Sequence, residues 1–237
     1  VGADGLWSQV RSQVWQDNPP QATGHWAYRS LLPMGLLPSR WREPNIQVWM
    51  AKGLHAVHYP VRRGQWLNVV VLVEGDGTEQ AQGWDVQRPS EAIAADVKRA
   101  LRGLCPDLHD VLRPIQDWRA WPLYTRPPLQ SASDMARGPV SLIGDAAHPM
   151  LPYMAQGAGM AIEDAQALAQ CLRHNIHSDL SAALQSYAHA RWARNARVQA
   201  LAQRNATVFH ASGLMASARN LAMRLAAPQL MDQPWLY

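Results

Sequence analysis

Three groups of residues in this chain have types and spacings that could do chemistry. The first is an acidic strand end. Val140 to Ile143 is a short apolar run that predicts a strand, and Gly144-Asp145 closes it where a strand gives way to a loop. The Asp145 carboxylate is thereby placed to accept hydrogen bonds from hydroxyl groups. The second is Gly157-Ala158-Gly159, which leaves the backbone unobstructed ahead of an apolar helical face predicted at Ala161, Ala165, Leu168, Ala169 and Leu172. Backbone amides and the positive end of the helix dipole at that point suit a ligand that carries or develops negative charge. The third is His55 with Tyr59. Their spacing on a strand puts both side chains on one face, where an imidazole that titrates near neutrality and a phenol hydroxyl could deprotonate and hold a phenolic ring. Each group also has a plainer reading: a capping Asp, an ordinary Gly-rich helix start, and a hydrogen-bonded strand histidine.

The elements that must position these residues follow from periodicity and punctuation. Asp17 to Thr23 reads as a Pro-rich polar linker, and His25 to Leu32, Ile46 to Met50, Leu54 to Tyr59 and Trp66 to Val73 read as four strands of a mostly antiparallel sheet. Ser90 to Leu101 predicts a helix with Ser90 as its N-cap, Asp107 to Arg113 a shorter one, and Asp117 to Tyr124 a returning strand. Beyond about Leu180 the pattern is long helices, closing near Ala227 ahead of Pro228. Glu163 and Asp164 fall in the first turns of the helix after Gly159, where carboxylates favour the dipole whatever the function. His58 faces away from His55 and reads as packing or surface, and His148 as structural. Trp49, Trp66, Trp118 and Trp121 lie on or beside the strands without revealing which line a pocket.

Two of these stretches carry a resemblance. GDAAHPMLPYMAQGAGMAIEDA, from Gly144 to Ala165, is similar to the second FAD-binding motif of the FAD-dependent aromatic-ring monooxygenases, most closely the salicylate hydroxylase-like group, and GADGLWSQVR, residues 2 to 11, resembles that family's Asp-Gly motif. Softer similarities run between them: HWAYR from His25, HYPVR from His58 followed by Trp66-Leu67-Asn68-Val69, WPLYTR from Trp121, and Tyr187 with Arg191 and Arg194. The resemblance implies an α/β (α+β) fold, in which part of an FAD/NAD(P)-binding Rossmann-like domain joins a mostly antiparallel β-sheet substrate domain and C-terminal helices. Its implied boundaries are cofactor-domain segments at residues 1–16 and 127–175, a substrate domain at 17–126 and C-terminal helices at 176–237.

It further implies FAD and NAD(P)H as cofactors, and hydroxylation of a phenolic or heteroaromatic carboxylate by dioxygen through a flavin C4a-hydroperoxide. Asp4, Gly5, Arg11, Gly144, Asp145, Pro152, Gly157, Ala158 and Gly159 are the implied flavin or coenzyme contacts. Asp145 is the expected ribityl partner, and Pro152 is expected beside the reactive carbon of the flavin. His55, Tyr59 and Pro152 are the implied catalytic residues. For Arg11 an exposed place on a helix surface is the alternative.

No GxGxxG occurs in the 237 residues, so the pyrophosphate-gripping unit expected of this family is not among them, and the chain reads as the C-terminal part of a longer enzyme that by itself binds flavin poorly. A non-catalytic partner subunit or ligand-binding remnant on the same fold is the alternative. The composition, 48% hydrophobic with net charge +4, is that of a cytoplasmic globular protein. Its basic residues are spread along the sequence, and Arg191, Arg194, Arg197 and Arg204 read as the polar face of a helix, which argues against a nucleic-acid partner. No apolar run approaches membrane-spanning length. Cys105 and Cys171 predict reduced, buried thiols and no metal site. The partner implied is a small aromatic substrate, with a homodimer as a further expectation.

Overall fold

A computed structural model describes residues 1–75, 90–102, 105–175, 179–231 and 234–236, and the chain divides into two compact units. One comprises Val1–Thr23 with Tyr124–Ala206; the other comprises Gly24–Leu123 with Thr207–Tyr237.

The second unit is built on a five-stranded sheet in the order β2-β3-β4-β1-β5, formed by β1 (Gln21–Pro33), β2 (Gln47–Ala51), β3 (Leu54–Val61), β4 (Trp66–Glu74) and β5 (Arg119–Thr125). β2 with β3, β3 with β4, and β4 with β1 pair antiparallel. One face carries Trp26, Tyr28, Leu32, Leu54, Ala56, Leu67, Val69 and Val71 into a core closed by Ile93 and Val97 of α2 (Ser90–Ala100) and by Leu108 and Val111 of α3 (Pro106–Leu112). Alternation of side chains then assigns His25, Arg29, His55, Tyr59, Asn68 and Glu74 to the opposite face.

Strand limits shift from expectation by up to four residues, and three of the shifts bear on the backbone. β1 begins at Gln21, inside the stretch read as a linker, with Gly24 taking a left-handed φ of +76 within it. β3 runs through Pro60, which pairs with Leu67 of β4 at a point where β2 has already ended, so the missing N–H removes no ladder bond. Val140 to Ile143 is regular only over Val140–Ser141, paired with Ala136–Arg137; Leu142 continues as a single parallel bridge to Gly2.

The first unit packs α1 (Gln9–Trp15), α4 (Gly157–Asn175) and most of α5 (Leu180–Phe209) around Trp15, Met135, Ala136, Leu142, Leu168, Leu184 and Tyr187. The buried side of α4 matches the expected one only in part. Met160, Asp164 and Leu168 are buried, whereas Ala165 and Ala169 are exposed. An apolar-only period misses this face because its middle member is a carboxylate. Arg191 corrects the reading of α5 in the same way: it is buried, not on a solvated polar face.

α6 (Gly213–Met231) extends past Ala227 but breaks its helical geometry at Ala226, two residues before Pro228. Cys105 is exposed and Cys171 half-buried, so Cys105 is not the buried thiol expected. The N-cap role expected of Ser90 lies outside the described side chains. Among the described residues no helix is long and apolar enough to cross a membrane.

Candidate functional site

In the first unit, an open cleft of about 560 Å3 is lined by Gly5, Gly144, Asp145, Pro152, Gly157 and Ala158, together with flanking apolar residues such as Ile143 and Leu151. These six are among the nine expected cofactor contacts. Asp4, Arg11 and Gly159 stand back from the cleft wall, and each of the first two has a definite place.

Asp4 caps α1: one carboxylate oxygen accepts from the Gln9 and Val10 amides at 2.8 and 3.2 Å, and the other accepts from Ser8 Oγ at 2.6 Å. Arg11 is buried, not on the helix surface. It donates through Nη1 to the carbonyls of Ala146 and Ala147 at 3.2 and 2.7 Å, and through Nε to Asp17 at 2.6 Å. Asp17 also receives Arg126 at 3.1 Å, so the polar stretch after α1 is tied down by two cations. Arg11 thus holds the Gly144–Ala147 loop from behind.

The loop itself depends on close approach. Gly144 has φ +57, and a Cβ there would come within 3.1 Å of Ala161 Cβ on α4. Its amide donates to Asp164 Oδ2 at 3.1 Å. Asp164 also accepts from Arg191 Nε at 2.9 Å and Asn195 Nδ2 at 3.0 Å, and bonds His148 Nε2. Burial alone would raise the Asp164 pKa, but these donors outweigh it and hold the carboxyl below its usual range. Glu163 beside it binds Arg191 at 2.6 Å and Arg194 at 2.7 Å. His148 is accordingly part of the loop's internal scaffold. The side chain of Tyr187 is buried as well and donates to the Leu142 carbonyl at 3.0 Å.

With the loop so fixed, Asp145 projects into the cleft. Its Oδ1 lies 3.9 Å from the position a Cβ on Gly157 would take, directly at the start of α4. Asp145 is exposed to the cleft, whose walls still raise its pKa by partial desolvation, with the neighbouring His148 pulling the other way. A carboxylate acceptor beside unobstructed amides of a helix N-terminus can bind hydroxyl groups on one side and stabilise developing negative charge on the other.

In the second unit, His55 and Tyr59 share the sheet face as expected, opposite Leu72 and Asn68 of β4. Arg29 Nε donates to Asn68 Oδ1 at 2.7 Å on this face. His55 is covered by the end of α5: its ring lies 5.3 Å from that of Phe209, and its Nδ1 is 2.9 Å from Nε2 of His210. His210 Nδ1 lies 3.2 Å from Glu74 Oε1, and the His25 ring stacks on His210 at 5.2 Å. Arg219 donates to the carbonyls of Val208 and Phe209, and the Gly53 amide donates to that of His210, which fixes this end of the helix.

Burial lowers the His55 pKa to about 3, with His210 and His25 adding to the fall; burial likewise lowers His210 to about 4, against the pull of Glu74. His210 was not foreseen as a site residue, since a lone histidine ending a long helix carries no local signal.

Donor atoms of His25, Glu74 and His210 lie within 4.8 Å of one another, near enough to share a cation. The His25 and His210 rings are stacked, and the contact of His210 Nδ1 is to Glu74. His58 points the other way, into the core, stacked on Trp49 at 6.2 Å and edge-on to Trp41.

Residues 1–204 match the family model described as FAD binding domain. The whole chain aligns with "3-hydroxybenzoate 6-hydroxylase 1" of Aquipseudomonas alcaligenes at 39% identity, covering 58% of that protein. It aligns with "3-amino-4-hydroxybenzoate 2-monooxygenase" of Streptomyces cremeus at 32% identity, covering 56%. The chain therefore spans somewhat over half the length of these relatives.

Among solved structures, a salicylate hydroxylase substrate complex superposes with a TM-score of 0.75 at 24% identity, over 97% of this chain and 61% of that one. Klebsiella pneumoniae HpxO complexed with FAD and uric acid superposes at 0.80 and 22%, over 97% and 56%. These two establish the mixed α/β fold. Taken together with the match over residues 1–204, the sequence relatives show that the chain belongs to the FAD-binding domain family of FAD-dependent aromatic hydroxylases.

Proposed function

We propose that this chain is the portion of an NAD(P)H-using flavoprotein monooxygenase that holds one side of FAD and a phenolic or heteroaromatic carboxylate. The observation that carries the reading is the cleft in which Gly5, Gly144, Asp145, Pro152, Gly157 and Ala158 converge. The residues present fit a flavin. The wall is made of glycine and alanine where side chains would obstruct a flat ring system, and Asp145 offers a carboxylate to a polyol. Asp4 and Arg11 serve that site by fixing α1 and the loop, and Gly159 belongs to the first turn of α4.

Bound FAD, once reduced by NAD(P)H, supplies the activated oxygen. The chain's own groups have separate tasks. The N-terminus of α4 favours negative charge on the reduced ring, and Pro152 walls the cleft against water. His55 is neutral at physiological pH and, with its pKa lowered to about 3, polarises a ring hydroxyl by accepting its hydrogen bond without holding the proton, and Tyr59 holds the ring by hydrogen bonding. Cysteines outside any disulfide suit a cytoplasmic setting, and Leu214, Leu221 and Leu225, exposed on α6, offer an apolar surface for a homodimer.

The test is NADH and NADPH oxidation by the full-length protein with FAD, over a panel of hydroxybenzoates and heteroaromatic acids. At least one acid should stimulate oxidation well above the substrate-free rate. Equal rates with and without every acid would reject the reading.

A further inference from the structure

Three elements of the second unit bring nitrogen and oxygen donors to one place. His25 of β1 and Glu74 at the end of β4 are direct partners in the ladder, so their side chains leave the same face of the sheet side by side. His210, the first residue after α5, lies over them, with Nδ1 3.2 Å from Glu74 Oε1 and its ring centre 5.2 Å from that of His25. The turn at Gly53 fixes the arrangement through the backbone. Its amide donates to the His210 carbonyl at 3.1 Å, and its carbonyl accepts from the Glu74 amide at 2.9 Å. We propose that His25, Glu74 and His210 bind a divalent first-row transition ion, zinc foremost, through two imidazole nitrogens and a carboxylate oxygen, with water completing the coordination. Bound there, the ion ties the end of α5 to β1 and β4, whatever chemistry takes place at the flavin cleft.

The distances fit such an ion. Around a tetrahedral centre with bonds of ~2.0–2.2 Å, donor atoms lie about 3.3 Å apart. The three donors here are all within 4.8 Å of one another and the His210–Glu74 pair is already at that spacing, so a closure of at most about 1.5 Å completes the set. Small rotations of the His25 and Glu74 side chains supply it, and the 48% exposure of Glu74 leaves an entry path from solvent. Two imidazoles on one tetrahedral ion hold their ring centres ~5 Å apart, close to the 5.2 Å found, and their 25° interplanar angle is a rotation the ion leaves free. The other nitrogen of His210, Nε2, lies 2.9 Å from His55 Nδ1, which holds the ring's orientation as outer-sphere partners of ligating histidines do. The donor set decides the class of ion: two imidazoles with one carboxylate suit zinc and its neighbours, whereas calcium and magnesium take oxygen donors. The expectation of no metal site rests on the isolated cysteines. These three ligands come from β1, β4 and the residue after α5, so no spacing along the sequence announces them.

The test is titration of tag-free full-length protein with cobalt(II), followed by difference absorption, and then with zinc. Wild type should bind one cobalt per chain with the visible bands of a four- or five-coordinate ion, and zinc should abolish them. Glu74→Gln and His25→Gln should each weaken binding by at least about 10-fold, the smallest loss typical even of outer-sphere partners. His109→Gln, at an exposed histidine of α3, should leave it unchanged. Thermal unfolding without metal checks that the variants are folded, and added zinc should raise the midpoint of the wild type and of His109→Gln but not of Glu74→Gln or His25→Gln. Wild type that shows only the pale spectrum of hydrated cobalt, or binding that survives both Glu74→Gln and His25→Gln, would overturn the proposal.

Discussion

The amide of Gly144 donates to the carboxylate of Asp164 across 3.1 Å, joining the loop that presents Asp145 to the helix whose first turn forms the other wall of the cleft. That bond is one of several on a carboxylate with no solvent exposure, so the loop's shape is set by a buried ionic centre and not by its own turn chemistry.

Replacing Asp164 with Asn should be strongly destabilising. Arg191 would remain buried without its fully enclosed counter-charge, a loss of about 3 kcal/mol. Urea unfolding monitored by tryptophan fluorescence reads this as a lower midpoint at unchanged slope. A midpoint within experimental scatter of the wild type would show that Asp164 is not the centre described.

Gly144→Ala combines a left-handed backbone with a Cβ set 3.1 Å from Ala161. A cost of about 1–3 kcal/mol and a parallel loss of flavin affinity are expected. Asp145→Ala, by contrast, should leave the unfolding midpoint in place and weaken FAD binding by roughly 10–100-fold, the value of one or two charged hydrogen bonds. Flavin fluorescence titration of the full-length protein compares the two. If Asp145→Ala instead unfolds the protein at lower urea, its role is architectural.

Acid should weaken the second unit before it weakens the first. His55 and His210 have folded pKa values lowered to about 3 and about 4, so between those values and about 6.5 the unfolded chain takes up protons that the folded chain refuses. Stability contributed by keeping them neutral is full above about pH 6.5 and falls as the pH drops, by about 1.4 kcal/mol per pH unit for each ring. The lowered pKa of Asp164 works in a lower window, because its contribution persists until the pH passes below the ordinary carboxylate range. Unfolding midpoints should decline from about pH 7 to about pH 5, across the ~6.5 of an ordinary imidazole, and His55→Gln with His210→Gln should flatten the decline.

His58→Phe should be neutral or stabilising. Both ring nitrogens of His58 are buried without a hydrogen-bond partner among the described residues, and its neighbours are Trp41 and Trp49. A phenyl ring keeps the stacking and removes the cost of two unmet polar atoms. Thermal unfolding decides it, and a drop of several degrees would mean that His58 has a polar partner in solution.

Much of the fold was legible because its signals are local. Alternating β-branched residues marked the strands, and the Gly-Asp and Gly-Ala-Gly punctuation marked the two walls of the cleft. The same alternation placed His55 and Tyr59 on one face. What was not legible depends on partners far along the chain. Asp164 and Arg191 look like solvated charges on amphipathic helices until their pairing, 27 residues apart, makes them core residues. Arg11 reads as a coenzyme contact or a helix-surface residue until the Ala146 and Ala147 carbonyls, some 135 residues away, claim it. His210 meets His55 across 155 residues. Periodicity reports burial of apolar groups, and it is silent on polar groups buried by pairing.

The most direct test of the account is the fate of molecular oxygen. Full-length protein loaded with FAD, given NADH, an aromatic acid that stimulates its oxidation and isotopically labelled dioxygen, should release the ring-hydroxylated acid carrying one labelled oxygen atom. Asp145→Ala should lose this product in step with its loss of flavin. Flavin bound and NADH consumed with no label entering any aromatic acid would contradict the account.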